Sequence, residues 1–530
     1  MAFISILVSK SRKKQFISVI FQTLILLLFI VPIFNSKAVI QTNALKTEVD
    51  YIFYNANIIT IDYSNYIVEA MAIKDGIMFS LGTSENILES YTTTLAENSF
   101  DMNKATIIPG IIDGHSHLII SSIGNDAMPF EEAQQKALSF GYTTLNEKTA
   151  DSWINGTQFL LDAEAADELI LRVNAFPVYN LSILDENNKT TIVRRWYPIH
   201  APILDHTRKF RVPGIKIFVD GAYGNRGIPA MTVPYTPELL EIYASSSLYG
   251  DLYFNQSGLD SIVDEIQDLG FSCAFHAMGD RAIETVLNAI EFALNGSAND
   301  LFRHQIEHNS MMRDDLIEKA ISLGTIHSVR GYFPTYWQDE DEGLYNSTIL
   351  GWYANRYSLP GLGIHSYLET DFGWSVYIEN DLTSTRNINP FLHMWGLVTR
   401  KAITENGTII EPHPWIAEHE ISAQMALEMM TLEGAYAVKQ EDYLGSFENG
   451  KYADLVVLSD DPINCDVDAI KDIEVLLTMI NGKIEYQKDD YYSETQTSTT
   501  TTITGLNDLI LVIIFISGLF MLQRLVLKRR

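Results

Sequence analysis

The chain has 530 residues, 47% of them apolar, which is enough for a large core and roughly two to four domains. Its formal charge is −30 with a pI near 4.7, and so acidic a body repels phosphate backbones, which argues against a nucleic-acid partner. Cys273 and Cys465 are the only cysteines, so at most one disulfide can form and core packing must do the stabilising.

At the N-terminus, Phe16 to Phe34 is almost wholly apolar and follows Lys10, Arg12, Lys13 and Lys14. Ser36-Lys37-Ala38 then has the small-x-small pattern of a cleavage site, so residues 1–38 read as a signal peptide or an uncleaved signal anchor. Residues 50–108 are β-rich. Tyr51 to Thr60 leads through a turn to Ala70 to Gly82, and two strand-like runs meet at Lys74-Asp75-Gly76, a hairpin signal.

Next comes Pro109-Gly110-Ile111-Ile112-Asp113-Gly114-His115-Ser116-His117, an apolar strand ending in two histidines one residue apart. Strand side chains alternate faces, so His115 and His117 point the same way, about 6–7 Å apart along the backbone. Two imidazoles so placed can grip one metal ion, whereas a bare His-x-His is also common in polar loops. The downstream partners decide between these readings.

From here strand-like runs alternate with amphipathic helices: Ile215 to Val219, Leu259 to Leu269, Ser272 to His276, Arg281 to Leu294 and Gln305 to His308. Such alternation over roughly 330 residues predicts a parallel (β/α)8 TIM barrel. Its strand ends carry further candidates: Lys216 among apolar residues, His276, His308 and Asp371. Singly, each has a structural reading: Lys216 as the partner of an acid, the histidines as satisfied core residues, Asp371 as a helix cap. Together, at strand ends where barrels gather their chemistry, they read as a metal site.

Gly445 to Leu458 is again a turn and a strand, and Leu476 to Tyr486 forms a hairpin through Asn481-Gly482. Ser493 to Thr504 is a Thr-rich, low-complexity tract, so residues 489–505 read as a solvated stalk. Leu509 to Leu522 is apolar and reaches about 19 residues if Arg524 snorkels, which makes residues 506–527 a candidate transmembrane helix. Lys528-Arg529-Arg530 follows it, and the positive-inside rule then puts both ends in the cytoplasm and the acidic body outside the cell membrane. Sequons at Asn155, Asn180, Asn188, Asn255, Asn295, Asn346 and Asn406 agree with an exterior body.

The stretches Pro109 to His117, Ile215 to Gly221, His276 to Ala282, Ile306 to His308, Thr370-Asp371 and Gly445 to Leu458 resemble the metal-dependent amidohydrolase superfamily, in its amidohydrolase-3 branch. The resemblance implies a (β/α)8 barrel over 109–439 beside a small β-sandwich built from 50–108 and 440–488. By the same resemblance His115 and His117 are metal ligands. Lys216 is a bridging lysine, carboxylated to N6-carboxylysine in binuclear members. His276 and His308 bind a second metal, or one of them contacts substrate, and Asp371 is both ligand and catalytic base. Asp280 and Arg281 organise the His276 loop or bind substrate. The cofactor expected is one or two divalent ions, Zn²⁺ by donor type.

One departure stands out. Relatives insert well over a hundred residues between the His-x-His strand and the next Gly-x-Thr-Thr strand, whereas here Phe140-Gly141-Tyr142-Thr143-Thr144 follows His117 after about two dozen residues. The stretch from Gly331 to Tyr357, with Asp339, Glu340, Asp341 and Glu342, is either a substitute lid or a solvated loop. The function expected is hydrolysis of a non-peptide C–N bond, amide or N-acyl, in a small molecule by a metal-bound hydroxide. The alternatives are an esterase or lactonase on the same site and a non-catalytic cell-surface binding protein on the hydrolase scaffold.

Overall fold

The computed structural model describes residues 46–491, except 65, 126–127, 152–154, 180, 185–189, 194–195, 198, 223–226, 374–384 and 490. The signal or anchor segment, the Thr-rich tract and the C-terminal apolar run lie outside the described residues. Among the described residues no helix is long and apolar enough to cross a membrane.

Eight strands form a ring. In chain order they are β1 (Ile111–Ser116), β2 (Tyr142–Glu147), β3 (Arg172–Ala175), β4 (Gly214–Phe218), β5 (Ser272–Ala277), β6 (Gln305–His308), β7 (Ile326–Val329) and β8 (Ser366–Leu368). β1 to β3 pair in parallel, as do β4 to β8. The two arcs join where Val178 bridges Lys216, with Tyr179 N–H donating to the Lys216 carbonyl at 2.8 Å. The ring closes between β8 and β1, where Asp371 N–H donates to the His115 carbonyl and His117 N–H to that of Phe372, both at 2.9 Å. This closure needs Gly114, because a Cβ there would sit 2.0 Å from the Tyr367 ring.

Apart from Phe218 at the end of β4, the strand residues are all buried because helices cover the outer face, the usual condition of a parallel sheet. Those helices include α1 (Phe130–Ser139), α2 (Gly156–Ala165), α3 (Gln256–Asp268), α4 (Asp280–Leu294) and α5 (Asp314–Leu323). α4 shows why they form: Ile283, Val286, Leu287, Ile290 and Leu294 recur at helical spacing and are all buried. α3 starts three residues before the apolar periodicity, because the Asn255 side chain accepts from Gly258 N–H as an N-cap. Asn346 caps another helix in the same way, so both of these sequon asparagines have a structural duty of their own.

Residues 331–357 are helical rather than an irregular loop, in three short helices: α6 (Phe333–Tyr336), α7 (Gln338–Leu344) and α8 (Ser347–Asn355). After β8 comes α9 (Pro390–Thr399), N-capped by Asn389.

Two further sheets flank the barrel start. One takes Tyr51–Tyr54, Ala70–Lys74, Ile77–Gly82 and Ser99–Asp101; the other takes Asn57–Ile59, Ile67–Val68, Thr106–Pro109, Leu455–Leu458, Val475–Ile480 and Lys483–Gln487. Phe53, Met71, Ile73, Ile107, Leu455, Val457 and Met479 share one buried cluster drawn from both sheets. Both expected hairpin turns have positive φ at their two central residues, Asp75-Gly76 and Asn481-Gly482, as a type I′ turn requires. The chain passes from the last residue of one of these strands, Pro109, through Gly110 straight into β1. A buried ion pair, Arg172 Nε to Asp454 Oδ2 at 2.7 Å, ties β3 to the returning segment. Cys273 and Cys465 are both free thiols.

Candidate metal centre

The end of β1 brings His115 and His117 together as the alternation predicts. Their Nε2 atoms lie 3.0 Å apart, and Asp371 Oδ1, arriving from the end of β8, is 2.9 Å from His117 Nε2 and 3.5 Å from His115 Nε2. Ligands about 2.0–2.2 Å from a tetrahedral ion stand about 3.3–3.6 Å from each other, and this triangle, with edges of 2.9–3.5 Å, comes close to that spacing and would open by a few tenths of an ångström around a divalent cation. Asp371 reaches it with φ +54°, a left-handed conformation that a non-glycine residue adopts only when its surroundings enforce it.

A second group of donors lies against the first: His115, Glu307 and His308. His308 also turns inward through positive φ, and its Nδ1 is 3.2 Å from Glu369 Oε1. His115 Nδ1 stands 3.6 Å from both Glu307 Oε1 and Glu369 Oε2. The His276 ring is 4.6 Å from the His308 ring, centre to centre, and His276 Nε2 is 3.8 Å from Asp220 Oδ1.

Three basic side chains face the carboxylates, Lys148 and Lys216 buried and Arg330 nearly so. Lys216 is ion-paired with Glu307 Oε2, and Lys148 Nζ lies 3.4 Å from Glu307 Oε1 and 2.8 Å from Gln305 Oε1. Arg330 Nε is 3.0 Å from Glu369, and its Nη2 pairs with Asp371 Oδ2.

Burial sets the protonation of the ligands. It drives the His115 imidazole well below its ordinary range, helped by the Lys216 charge, and lowers His308 to about 4. Both rings are therefore neutral at pH 7, with a lone pair to offer. For Glu369, burial acts upward, but His308, Arg330 and the Ser328 hydroxyl together hold the carboxyl below its ordinary range. Burial likewise pushes the Lys148 ammonium well down.

Asp280 and Arg281, expected as substrate contacts, are not drawn into this cluster. Asp280 is buried at the start of α4, where it accepts from Thr232 N–H at 2.9 Å and pairs with Arg313 Nη1 at 2.7 Å. Arg281 donates to the carbonyls of Tyr249 and Gly250 and lines a cavity of about 700 Å³ with Asp251 and Tyr253. Their neighbour in sequence, His276, ends a strand, while they begin the helix that turns away from it. Asp220 organises the loop instead, accepting from the N–H groups of Ala230, Met278 and Gly279 at 2.8–3.0 Å.

Sequence reasoning missed Glu307, Glu369, Arg330 and Lys148. The available signal was a charged residue inside or just past a short buried strand: Glu307 interrupts Gln305–His308, and Glu369 directly follows Ser366–Leu368. The polar layer they form cannot be drawn without strand neighbours.

A model described as the amidohydrolase family matches residues 124–486. The N-substituted formamide deformylase of Arthrobacter pascens is 26% identical over 275 residues, covering 52% of this chain and 45% of that protein. The Arabidopsis thaliana protein LONG AFTER FAR-RED 3 is 25% identical over 376 residues, covering 67% and 56%. The chain thus spans about half the length of the curated relatives it matches. Among solved structures, an uncharacterized metal-dependent hydrolase from Pyrococcus horikoshii OT3 superposes with a TM-score of 0.59 at 15% identity, covering 79% of this chain and 99% of that one, a likeness of fold. With the family match extending over more than half its length, the chain belongs to the amidohydrolase family.

Proposed function

We propose that this protein is a metal-dependent hydrolase of a non-peptide C–N bond, amide or N-acyl, in a small molecule. The observation that carries the reading is the convergence of His115 Nε2, His117 Nε2 and Asp371 Oδ1 on one point at a barrel mouth. The deformylase among the relatives, named for a C–N substrate, supports the bond type.

His115, His117 and Asp371 would hold a first ion. His308 and Glu307, with His276 behind them, frame a second position. The mixed nitrogen and oxygen donors favour Zn²⁺. Held by these residues, such an ion would supply Lewis acidity towards a carbonyl and would lower the pKa of water towards about 7. Lys216 acts as the counter-cation of Glu307. Carboxylation to N6-carboxylysine would set a carbamate against that carboxylate, so it requires Glu307 to turn towards Lys148.

Asp371 is the base. Its Oδ1 faces the ligand point while Arg330 holds Oδ2, which fixes the carboxylate plane. It takes the proton of the attacking water and returns it to the leaving amine, the two-way role of a general acid–base group. Closed barrel packing around Glu307, Glu369 and Lys148 excludes water from the floor of the site.

The test is Asp371→Asn, which keeps the shape and removes the basicity. With metal content matched to wild type, kcat on amide, N-acyl and ester substrates should fall by about 10²–10⁴-fold, the usual worth of a general base. Wild-type turnover by the metal-replete variant would refute the assignment.

The termini belong to the same proposal. The basic flanks and apolar runs of residues 1–38 and 506–527 tether the chain to the cell membrane with the catalytic body outside.

A further inference from the structure

Asn295-Gly296-Ser297 is a sequon whose side chains the fold does not use. It follows directly on Leu294, the last residue of α4. Ser297 N–H donates to the Leu294 carbonyl at 2.8 Å, and Asn295 and Gly296 have φ of +46° and +84°, the pattern of a type I′ turn. That backbone accounts for an asparagine and a glycine at the turn, and gives no reason for Ser297. All three residues are exposed, and neither the Asn295 amide group nor the Ser297 hydroxyl hydrogen-bonds to a described residue. A Cβ on Gly296 would meet nothing within 4 Å, so the turn stands clear of the rest of the molecule. At other sequons the side chain is engaged. Asn255 and Asn346 give their amide oxygens to helix N-caps, and Asn406 Oδ1 accepts from Thr408 N–H and Oγ1 at 3.2 and 2.8 Å.

The second observation is Phe292, three residues before Asn295 on α4. It is 57% exposed and takes no part in the core cluster that its neighbours Ile290, Ala293 and Leu294 join. A single exposed ring is ordinary on its own. Its spacing gives it a partner: residues three apart on a helix have Cβ atoms about 5–6 Å apart, within reach of one sugar ring attached through the asparagine amide. The C–H face of a pyranose carries slight positive charge and suits the negative face of an aromatic ring.

We propose that Asn295 carries an N-linked glycan whose first sugar lies over the Phe292 ring and takes that ring out of water. This rests on the exterior placement of the body given above. In the transfer, Asn295 Nδ2 bonds to the anomeric carbon of an oligosaccharide delivered on a lipid diphosphate. The bond from that carbon to the diphosphate oxygen breaks, the lipid diphosphate leaves, and one Nδ2 proton passes to a base of the transferase.

The test is peptide mass mapping of the full chain recovered from the membranes of eukaryotic host cells. It is run before and after an amidase that removes N-glycans and leaves aspartate in place of each occupied asparagine. The peptide with Asn295 should carry that mark. Asn295→Gln and Ser297→Ala should each lose one glycan, and Ser297→Thr should retain it. Hydroxyl-radical footprinting reads the contact: Phe292 should be oxidised more slowly in the glycosylated chain than in the Ser297→Ala chain. A bare Asn295 beside marked asparagines at other sequons overturns the proposal and leaves the exterior placement standing. A chain with no marked asparagine overturns both. Equal oxidation of Phe292 with and without the glycan overturns the contact between sugar and ring.

Discussion

His115 and His117 present their Nε2 atoms to each other at 3.0 Å, and the surroundings of His115 decide what lies between them. Its Nδ1 faces only acceptors, the carboxylates of Glu307 and Glu369 at 3.6 Å, so the ring proton belongs on Nδ1. The lone pair on Nε2 then points at His117 Nε2 and at Asp371 Oδ1. A divalent cation at that point would accept the His115 lone pair together with His117 Nε2 and Asp371 Oδ1.

Replacing both His115 and His117 with Ala should therefore empty the site while the barrel stays folded, since ligands at a strand end add little to the core. Elemental analysis and circular dichroism on the same sample check this. A folded double variant that keeps stoichiometric metal would show that the site is elsewhere.

Glu369 hydrogen-bonds His308 Nδ1 at 3.2 Å, lies 3.6 Å from His115 Nδ1, and is held in turn by Ser328 and Arg330. Glu369→Gln keeps the size but weakens the acceptor that fixes the His308 ring. Metal affinity should drop by about 10–100-fold, the usual effect of losing such a partner. An unchanged dissociation constant in competition with a chelator would show that Glu369 only balances charge.

The positions that were readable in the sequence are those where one residue type answers a local need. Asp75-Gly76 and Asn481-Gly482 announce their hairpins because both turns demand positive φ. His115, His117, His308 and Asp371 stand at the ends of apolar runs, and the ring brings all four together. Glu307 and Lys216 were opaque as a pair because their contact spans 91 positions and depends on which strand neighbours which. Asp280 and Arg281 stand apart from the ligand cluster for the opposite reason. They follow His276 closely in sequence, but the turn into α4 carries them away from it. The helical build of residues 331–357 was hidden because α6, α7 and α8 are too short to set up a periodicity.

His327 offers a pH test away from the ligands. It is fully buried between Thr325 and Asn309, and burial lowers its pKa from 6.5 to about 3. Between those values the unfolded chain binds a proton that the folded chain refuses, so this contribution to stability is complete above pH 6.5 and is lost as pH falls towards 3. His327→Asn should thus be less stable than wild type at pH 7.5. The deficit should shrink by about 1.4 kcal/mol per pH unit below 6.5. Urea midpoints across pH 4.5–7.5 check this, and a constant deficit would contradict it.

The proposed topology is open to external protease on intact cells. The acidic body should be digested, leaving a small C-terminal fragment in the membrane. A body protected until the cells are permeabilised would reverse the orientation.

Metal content and hydrolysis, followed together through one cycle of chelation and reloading, test the central claim most directly. Purified protein should hold one or two divalent ions per chain, lose amide and N-acyl hydrolysis as they are stripped, and regain it in proportion as Zn²⁺ returns. Hydrolysis that persists in fully stripped protein, or a native chain that retains no divalent ion, would contradict it.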